Sequence, residues 1–296
     1  MEQKQPVKRK RRWGDRYDGR RLRSLDAFSR VSPYIMVTRN TSSNHFMDTI
    51  DIDEIERYIR HKRNDDGLVG FGIMHVLIAA YVRSLSQKPA VNRFIAGQKI
   101  YARNSVQINL TVKREMRSDA LETVIKISPK LDATATEVYE LIKKEIDLSK
   151  NNNQSDFDKT AKILDYIPGL LLKFAVWFLK KLDYFGLLPK KLEKLSPFHG
   201  SMFITSMGSL GVPPIFHHLY DFGNVPVFCS FGAKQKRNEL QADGSIIERR
   251  YITVMWVMDE RICDGLYLAR SVQLLKKLVS HPELLETPPE QRLFDN

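Results

Sequence analysis

Cysteine is scarce in this chain of 296 residues, since only Cys229 and Cys263 are present and they lie far apart in apolar stretches. These positions disfavour a disulfide framework and favour a reducing, cytoplasmic setting. The cysteines also lack the close spacing of a zinc site, so no metal is expected. The first residues lack the apolar stretch that a secretory signal requires, so the sequence gives no indication of export.

The chain also lacks a hydrophobic run long enough to cross a bilayer. Residues 170–179 are strongly apolar, but Lys173 interrupts them and Lys180, Lys181 and Asp183 follow. The charge-free run falls far short of the ~18 apolar residues that a transmembrane helix needs. We predict that segment 163–195 contains an amphipathic helix packed on the core or on another subunit. Association with a lipid monolayer, centred on residues 170–188, is the second interpretation.

Basic residues outnumber acidic ones and give a net charge of +12, with a dense block at residues 8–12. Such a block can bind nucleic acid or an anionic membrane. Charge runs are more often solvated surface, and nothing resembling a nucleic-acid recognition module follows this one. We interpret residues 1–30 as a basic, flexible arm and favour neither nucleic acid nor a membrane as its partner. The charge also suits a small polyanionic ligand.

The hydrophobic pattern predicts a mixture of strands and helices along residues 31–296. Period-two alternation or apolar runs predict strands at 45–52, 106–112, 123–127, 201–206, 225–231 and 246–258, with a hairpin turn at 117–119. Helical spacing predicts helices at 53–62 with Asp53 as N-cap, 71–85, 133–146 and 265–280, and residues 151–155 are predicted to form an exposed loop. This irregular order predicts one α+β domain with a mixed β-sheet covered by helices.

Residues 259–265, Asp-Glu-Arg-Ile-Cys-Asp-Gly, resemble the D-H-R-x-x-D-G signature of the dihydrolipoamide acyltransferase catalytic domain, in the same superfamily as chloramphenicol acetyltransferase. Residues 43–52, 89–92 and 200–211 resemble three further motifs of that family in the same order, and residues 276–285 resemble its ending. The resemblance implies a chloramphenicol acetyltransferase-like sandwich assembled as a homotrimer, with clefts between subunits. The lipoyl and subunit-binding modules of the complex-forming members are not recognisable.

The resemblance implies a coenzyme A-dependent acyltransferase without a metal. In the family, a histidine takes the proton of a coenzyme A or dihydrolipoyl thiol, and the thiolate attacks an acyl group across a trimer interface. Thr205 occupies the position of the hydroxyl that stabilises the oxyanion, and Asp264 that of the aspartate that holds the loop through an arginine. The position of the histidine falls on Glu260.

Glutamate is a poor match for the base in this reaction. A carboxylate of pKa ~4.3 facing a thiol of pKa ~8.5 makes proton transfer uphill by roughly 5 to 6 kcal/mol, about twice the cost for histidine. Burial can raise the pKa of a carboxylate by several units, so a glutamate base is chemically possible. The alternative hypothesis is a catalytically inactive relative, a pseudoenzyme that serves as a ligand-binding or assembly scaffold.

Each candidate also has a purely structural interpretation. Thr205 fits an ordinary half-buried strand position, and Asp264 fits a helix N-cap. His217 and His218 would supply a replacement base only if their loop folded toward Glu260, and neighbours on an extended chain point to opposite sides. We therefore interpret both as loop residues. His45 and His75 fit structural roles, and Cys263 fits a packing position.

Overall fold

The structure is a computed structural model that describes residues 10–113, 122–151 and 165–295. The described residues form ten strands: β1 Gly19–Arg21, β2 Ser43–Asp51, β3 Arg93–Ala96, β4 Lys99–Arg103, β5 Ile108–Lys113, β6 Glu122–Ile127, β7 Met202–Ser206, β8 Val227–Phe231, β9 Gln235–Leu240 and β10 Ile246–Asp259. They also form seven α-helices: α1 Ala27–Ile35, α2 Asp53–Asn64, α3 Ile73–Gln87, α4 Ala135–Asn151, α5 Gly169–Tyr184, α6 Lys190–Leu195 and α7 Gly265–Ser280.

Seven strands form the main sheet, with the order β2-β10-β8-β7-β5-β6 and β9 paired to the first half of β10. Strands β5, β7 and β8 are parallel, whereas β2, β6 and β10 run antiparallel to their neighbours. The second half of β10 lies between β2 and β8, as its apolar side chains on both faces predict. The mixed sheet confirms the predicted α+β class.

The main core lies between this sheet and helices α3, α4 and α7. Eleven consecutive residues of α3, from Val76 to Ser86, are buried, because this helix packs against both α4 and α7. A smaller cluster on the opposite face of the sheet contains Phe203, Phe228 and Leu219. Leu219 belongs to the loop between β7 and β8, so this loop packs on the second face and the sheet is covered on both faces.

A small second sheet, with the order β1-β4-β3, involves residues that the sequence places in the basic arm. The guanidinium of Arg16 is 3% exposed and pairs with Asp18 at 2.9 Å and with Asp183 at 2.6 Å. The pair with Asp183 fixes the chain before β1 against α5. Residues 16–30 therefore include ordered structure, because specific carboxylates neutralise a basic residue that composition alone assigns to solvent.

The start of helix α2 agrees with the prediction, but its capping residue differs. The helix predicted to begin after Asp53 does so, but Ile52 is the N-cap residue and Asp53 is the first helical residue. The carboxylate of Asp51 accepts a hydrogen bond from the backbone N–H of Asp53 at 2.9 Å, so the capping interaction comes from two residues earlier. The predicted turn at 117–119 and residues 152–155 of the predicted loop lie outside the described residues.

Helix α5 corresponds to the apolar segment that the sequence predicts to pack on the core or on another subunit. Asp183 is its buried residue, and most of its large apolar side chains are exposed. Only one side of the helix therefore packs on the rest of the chain, and contact of the other side with another subunit stays a prediction. Among the described residues, no helix is long and apolar enough to span a membrane.

Gly223 allows the loop between β7 and β8 to pack closely against the backbone of Phe198. Its φ is +85°, and a Cβ atom there would clash with the carbonyl oxygen of Phe198. We expect Gly223→Ala to lower the free energy of unfolding by roughly 2 to 3 kcal/mol, from strain and clash together. Gly211→Ala is the matched control, because Gly211 has φ +71° in open space. Equal losses in urea denaturation would contradict the role of the close approach.

Candidate functional site

The signature residues form a rigid turn directly after β10. The side chains of Arg261 and Asp259 are 2% and 1% exposed and form an ion pair, with 2.7 Å between Nη2 and Oδ2 and 2.8 Å between Nε and Oδ1. Arg261 also donates from Nη1 to the carbonyl of Met36 at 2.6 Å. Because Arg261 is engaged in this way, Glu260 between them is left exposed on the outside of the turn.

Asp264 begins helix α7 as its N-cap, and its carboxylate accepts a hydrogen bond from the N–H of Tyr267 at 2.8 Å. The resemblance predicts that this aspartate holds the loop through an arginine. The arginine that reaches the loop is Arg93, which donates to the carbonyl of Ile262 at 3.1 Å and pairs with Asp295 at 2.6 Å. The loop is thus anchored by Arg93 together with a carboxylate from the far end of the chain.

Thr205 is half-buried near the end of β7 and lines a cavity of about 760 Å³. Apolar side chains from α3, α4 and the sheet form most of the wall, and Ser206, His75 and His217 add polar groups. The other residues of the wall include Met74, Leu110, Val112, Tyr139, Ile142, Phe203, Ile215 and Phe228. This cavity has the size and mixed lining of a small-molecule site.

Within one chain, Glu260 lies far from Thr205. Thr205 pairs with Ser230 of β8 and Ser230 pairs with Met255 of β10, so Thr205 and Met255 are level across the sheet. Glu260 follows Met255 by five residues. At about 3.3 Å per residue and about 4.8 Å between strands, the two Cα atoms are roughly 19 Å apart. A single chain therefore cannot bring both side chains to one reacting atom.

A second cavity of about 660 Å³ contains basic side chains from the N-terminal part of the chain. It is lined by two carboxylates, Asp15 and Asp295, and by six basic residues: Lys10, Arg11, Arg16, Arg20, Arg103 and Lys190. The Nε and Nη1 atoms of Arg103 are buried without a hydrogen-bond partner, and burial lowers the pKa of Arg103 to about 10. Unpaired buried donors of this kind suit an anionic ligand.

Neither a family model nor a curated protein matches the sequence significantly. The structure is similar to a probable dihydrolipoamide acetyltransferase from Listeria monocytogenes, with a TM-score of 0.56 and 17% identity over 89% of this chain and 95% of that one. A truncated catalytic core of the 2-oxoacid dehydrogenase multienzyme complex from Thermoplasma acidophilum gives 0.53 and 14%, over 89% and 99%. A chloramphenicol acetyltransferase gives 0.53 and 11%, over 87% and 95%.

The chain has the chloramphenicol acetyltransferase-like fold. This likeness confirms the sandwich that the four sequence motifs predict. At these identities the likeness establishes the fold alone. The roles of Glu260, Thr205 and Asp264 in an acyltransferase of this fold stay predictions.

His217 lines the cavity, although the sequence predicts only a loop residue at this position. Its ring lies 4.0 Å from the ring of Phe228 and 4.4 Å from the ring of His218, so the expectation that the two histidines point to opposite sides is wrong. Stacking on Phe228 determines this orientation. The Nδ1 atom lies 2.9 Å from the carbonyl of His218 and therefore carries the proton, while burial lowers the pKa of the ring. His217 thus presents a neutral ring to the cavity that contains Thr205.

His75 and Cys263, two further candidates from the sequence, lie in surroundings that fit structural roles. His75 accepts a hydrogen bond from the N–H of Gly72 at 3.0 Å and stacks on Phe71, and burial lowers its pKa to about 4. Burial raises the pKa of the Cys263 thiol to about 12, which disfavours a thiolate nucleophile. Within the described ranges, no group of three His, Cys, Asp or Glu side chains is arranged to hold a metal ion.

Proposed function

We propose that this chain is a coenzyme A-dependent acyltransferase of the dihydrolipoamide acyltransferase type, with Glu260 in place of the usual histidine base. The observation that carries the proposal is the rigid turn after β10. Asp259 and Arg261 are buried in a two-point ion pair, so the turn presents Glu260 outward from a fixed backbone. This placement suits a side chain that acts on a group outside its own subunit.

Three residues would divide the chemistry. Glu260 accepts the proton of the attacking thiol, and the hydroxyl of Thr205 donates a hydrogen bond to the oxygen that becomes negative as the acyl group is attacked. Asp264 caps α7 through the N–H of Tyr267 and so fixes the end of the signature loop. Coenzyme A supplies the thioester or thiol group.

The basic cavity is the proposed location for the phosphate groups of coenzyme A. Arg103 has two buried guanidinium nitrogen atoms without hydrogen-bond partners, and Lys190 and Arg20 line the same space. Arg93 connects this cavity to the signature turn, because it pairs with Asp295 of the cavity and donates to the carbonyl of Ile262. A polyanion held there would lie close to the turn that carries Glu260.

The proposed active site lies between two copies of the chain. The distance of roughly 19 Å between the Cα atoms of Glu260 and Thr205 prevents one copy from supplying both groups. In the proposed cyclic assembly, the homotrimer that the sequence resemblance implies, Glu260 of one subunit would reach the Thr205 cavity of the next. The likeness to the catalytic core of a multienzyme complex is consistent with such an assembly.

Subunit mixing tests this arrangement. We expect Thr205→Ala, which removes one oxyanion donor, and Glu260→Gln each to lower acyl transfer by about 10²-fold or more as homomers. Refolding equal amounts of the two variants together should restore about a quarter of wild-type activity, because random cyclic trimers then contain intact interfaces. Transfer is followed as thiol release from acyl-coenzyme A with thiol, amine and hydroxyl acceptors.

The control mixes Thr205→Ala with the double variant, which leaves each interface defective and should restore nothing. Two active single variants would contradict the roles of Glu260 and Thr205. Defective variants without recovery on mixing would contradict the shared site.

The second candidate function is a binding or assembly scaffold, which the glutamate at the base position favours. Saturable binding of coenzyme A by wild-type protein that transfers no acyl group would support that candidate and overturn the enzyme.

A further inference from the structure

Helix α5 exposes an apolar face that the acyltransferase fold leaves uncovered. The exposed fractions of its side chains are 84% for Leu170, 60% for Leu171, 62% for Phe174, 53% for Trp177 and 48% for Phe178. At about 100° per residue, these positions fall within about a third of the helix circumference. Phe174 also stacks on Trp177 and on Phe178, with ring centroids 5.7 Å and 6.4 Å apart. The five side chains form one continuous surface, called here the α5 outer face.

The opposite side of α5 is fixed to the protein. Leu172, Ala175, Leu179 and Leu182 are half-buried and follow the helical repeat. Asp183 is buried and pairs with Arg16 at 2.6 Å, which fastens the C-terminal end of the helix. The inner side of the helix thus packs against other residues of the same chain. None of the described residues covers the outer face.

The segment that carries the α5 outer face is rich in exposed positive charge. Residues 165–195, all of which the structure describes, contain six exposed lysines but only one exposed acidic residue, Asp165. The other two acidic residues, Asp183 and Glu193, are buried. The six lysines are Lys173, Lys180, Lys181, Lys190, Lys191 and Lys194. An apolar stripe with aromatic groups and flanking lysines is typical of helices that lie in the surface of an anionic membrane.

We propose that the α5 outer face docks on an anionic lipid surface, with the aromatic and leucine side chains at the boundary of the acyl chains and the lysines among the headgroups. The net charge of +12 adds long-range attraction to such a surface. Trp177 suits the position because its ring is apolar at one end and its N–H can remain hydrated. The proposal is independent of the acyltransferase activity.

A second copy of the chain, docked through a two-fold contact, is a weaker occupant for the same face. A two-fold contact would place the α5 outer face against itself, and its flanking lysines would meet the same lysines of the partner. Like charges brought together without acidic partners disfavour association. Anionic headgroups, by contrast, neutralise these lysines at the same time as the apolar side chains leave water.

Vesicle flotation tests the proposal directly with the full chain. We expect wild-type protein to float with vesicles of equal parts phosphatidylcholine and phosphatidylglycerol, and to remain in solution with phosphatidylcholine alone. Phe174→Ser with Trp177→Ser should reduce binding roughly tenfold or more by removing apolar contacts. Lys173→Gln, Lys180→Gln and Lys181→Gln together should reduce it by a similar factor and weaken its dependence on salt. The matched control is Phe28→Ser, because the side chain of Phe28 on α1 is 75% exposed.

Quenching locates the contact. In a Trp13→Phe background, brominated acyl chains should quench the emission of Trp177, because Trp256 is 4% exposed inside the core. Absence of wild-type flotation, or flotation that both α5 variants leave unchanged, would overturn the proposal. Concentration-dependent self-association that disappears in Phe174→Ser with Trp177→Ser, without any vesicle binding, would overturn it in favour of a second copy.

Discussion

Glu260→Gln should lower the rate of acyl transfer by about 10²- to 10⁴-fold while leaving KM for the acyl-coenzyme A almost unchanged. Glutamine has the shape of glutamate but cannot accept a proton from a thiol, and this range is the usual contribution of a general base. Because Glu260 is exposed on a turn held by Asp259 and Arg261, the substitution should not alter the fold. Steady-state kinetics with matched thermal melting measures both effects.

His217→Asn is the decisive comparison for that experiment. His217 lines the cavity of Thr205 with a neutral ring, so its chemistry is also suitable for a base. If Glu260 is the base, His217→Asn should change kcat by less than about tenfold. A large loss in His217→Asn together with full activity in Glu260→Gln would transfer the role to His217 and contradict our assignment.

An extended pH profile adds a readout that a purely structural role would not change. A carboxylate base and a histidine base have reference pKa values of ~4.3 and ~6.5, so the acidic limb of kcat/KM reports which group titrates. We expect Glu260→Gln to remove this limb from the residual activity. A residual profile with the same limb would indicate that another group accepts the proton.

Several elements were predictable from the sequence because a single local cause determines them. Helix α7 begins where Asp264 caps it, and β10 carries apolar side chains on both faces because β2 and β8 flank it. The hairpin of β5 and β6 follows from alternation in each strand. In each of these cases the local pattern and the tertiary contacts favour the same structure.

Other features depend on contacts that are distant in sequence. The ion pair of Arg16 with Asp183 spans the chain and gives ordered structure to a region that composition assigns to solvent. The position of His217 is determined by stacking on Phe228, and the loop anchor Arg93 pairs with Asp295 at the other end of the chain. The distance between Glu260 and Thr205 became apparent only from the strand register, which no spacing in the sequence encodes.

The buried pair in the signature turn has the largest expected effect on stability. Asp259→Asn would leave the guanidinium of Arg261 buried beside a neutral partner, and Arg261 is only 2% exposed. Breaking one side of a buried ion pair costs about 3 to 5 kcal/mol, because the remaining charge is uncompensated. We expect the free energy of unfolding to fall by this amount in urea denaturation at fixed protein concentration.

The double variant Asp259→Leu with Arg261→Met separates this cause from a general sensitivity of the turn. Apolar side chains of similar size remove both buried charges, so most of the lost stability should return, whereas acyl transfer should stay low because the turn no longer positions Glu260. Glu248→Gln, in an exposed pair with Lys236, is the matched control and should have no measurable effect. A loss below about 1 kcal/mol in Asp259→Asn would mean that water reaches Arg261 and that the turn is not rigid. Glu260 would then lack the fixed support on which its proposed role depends.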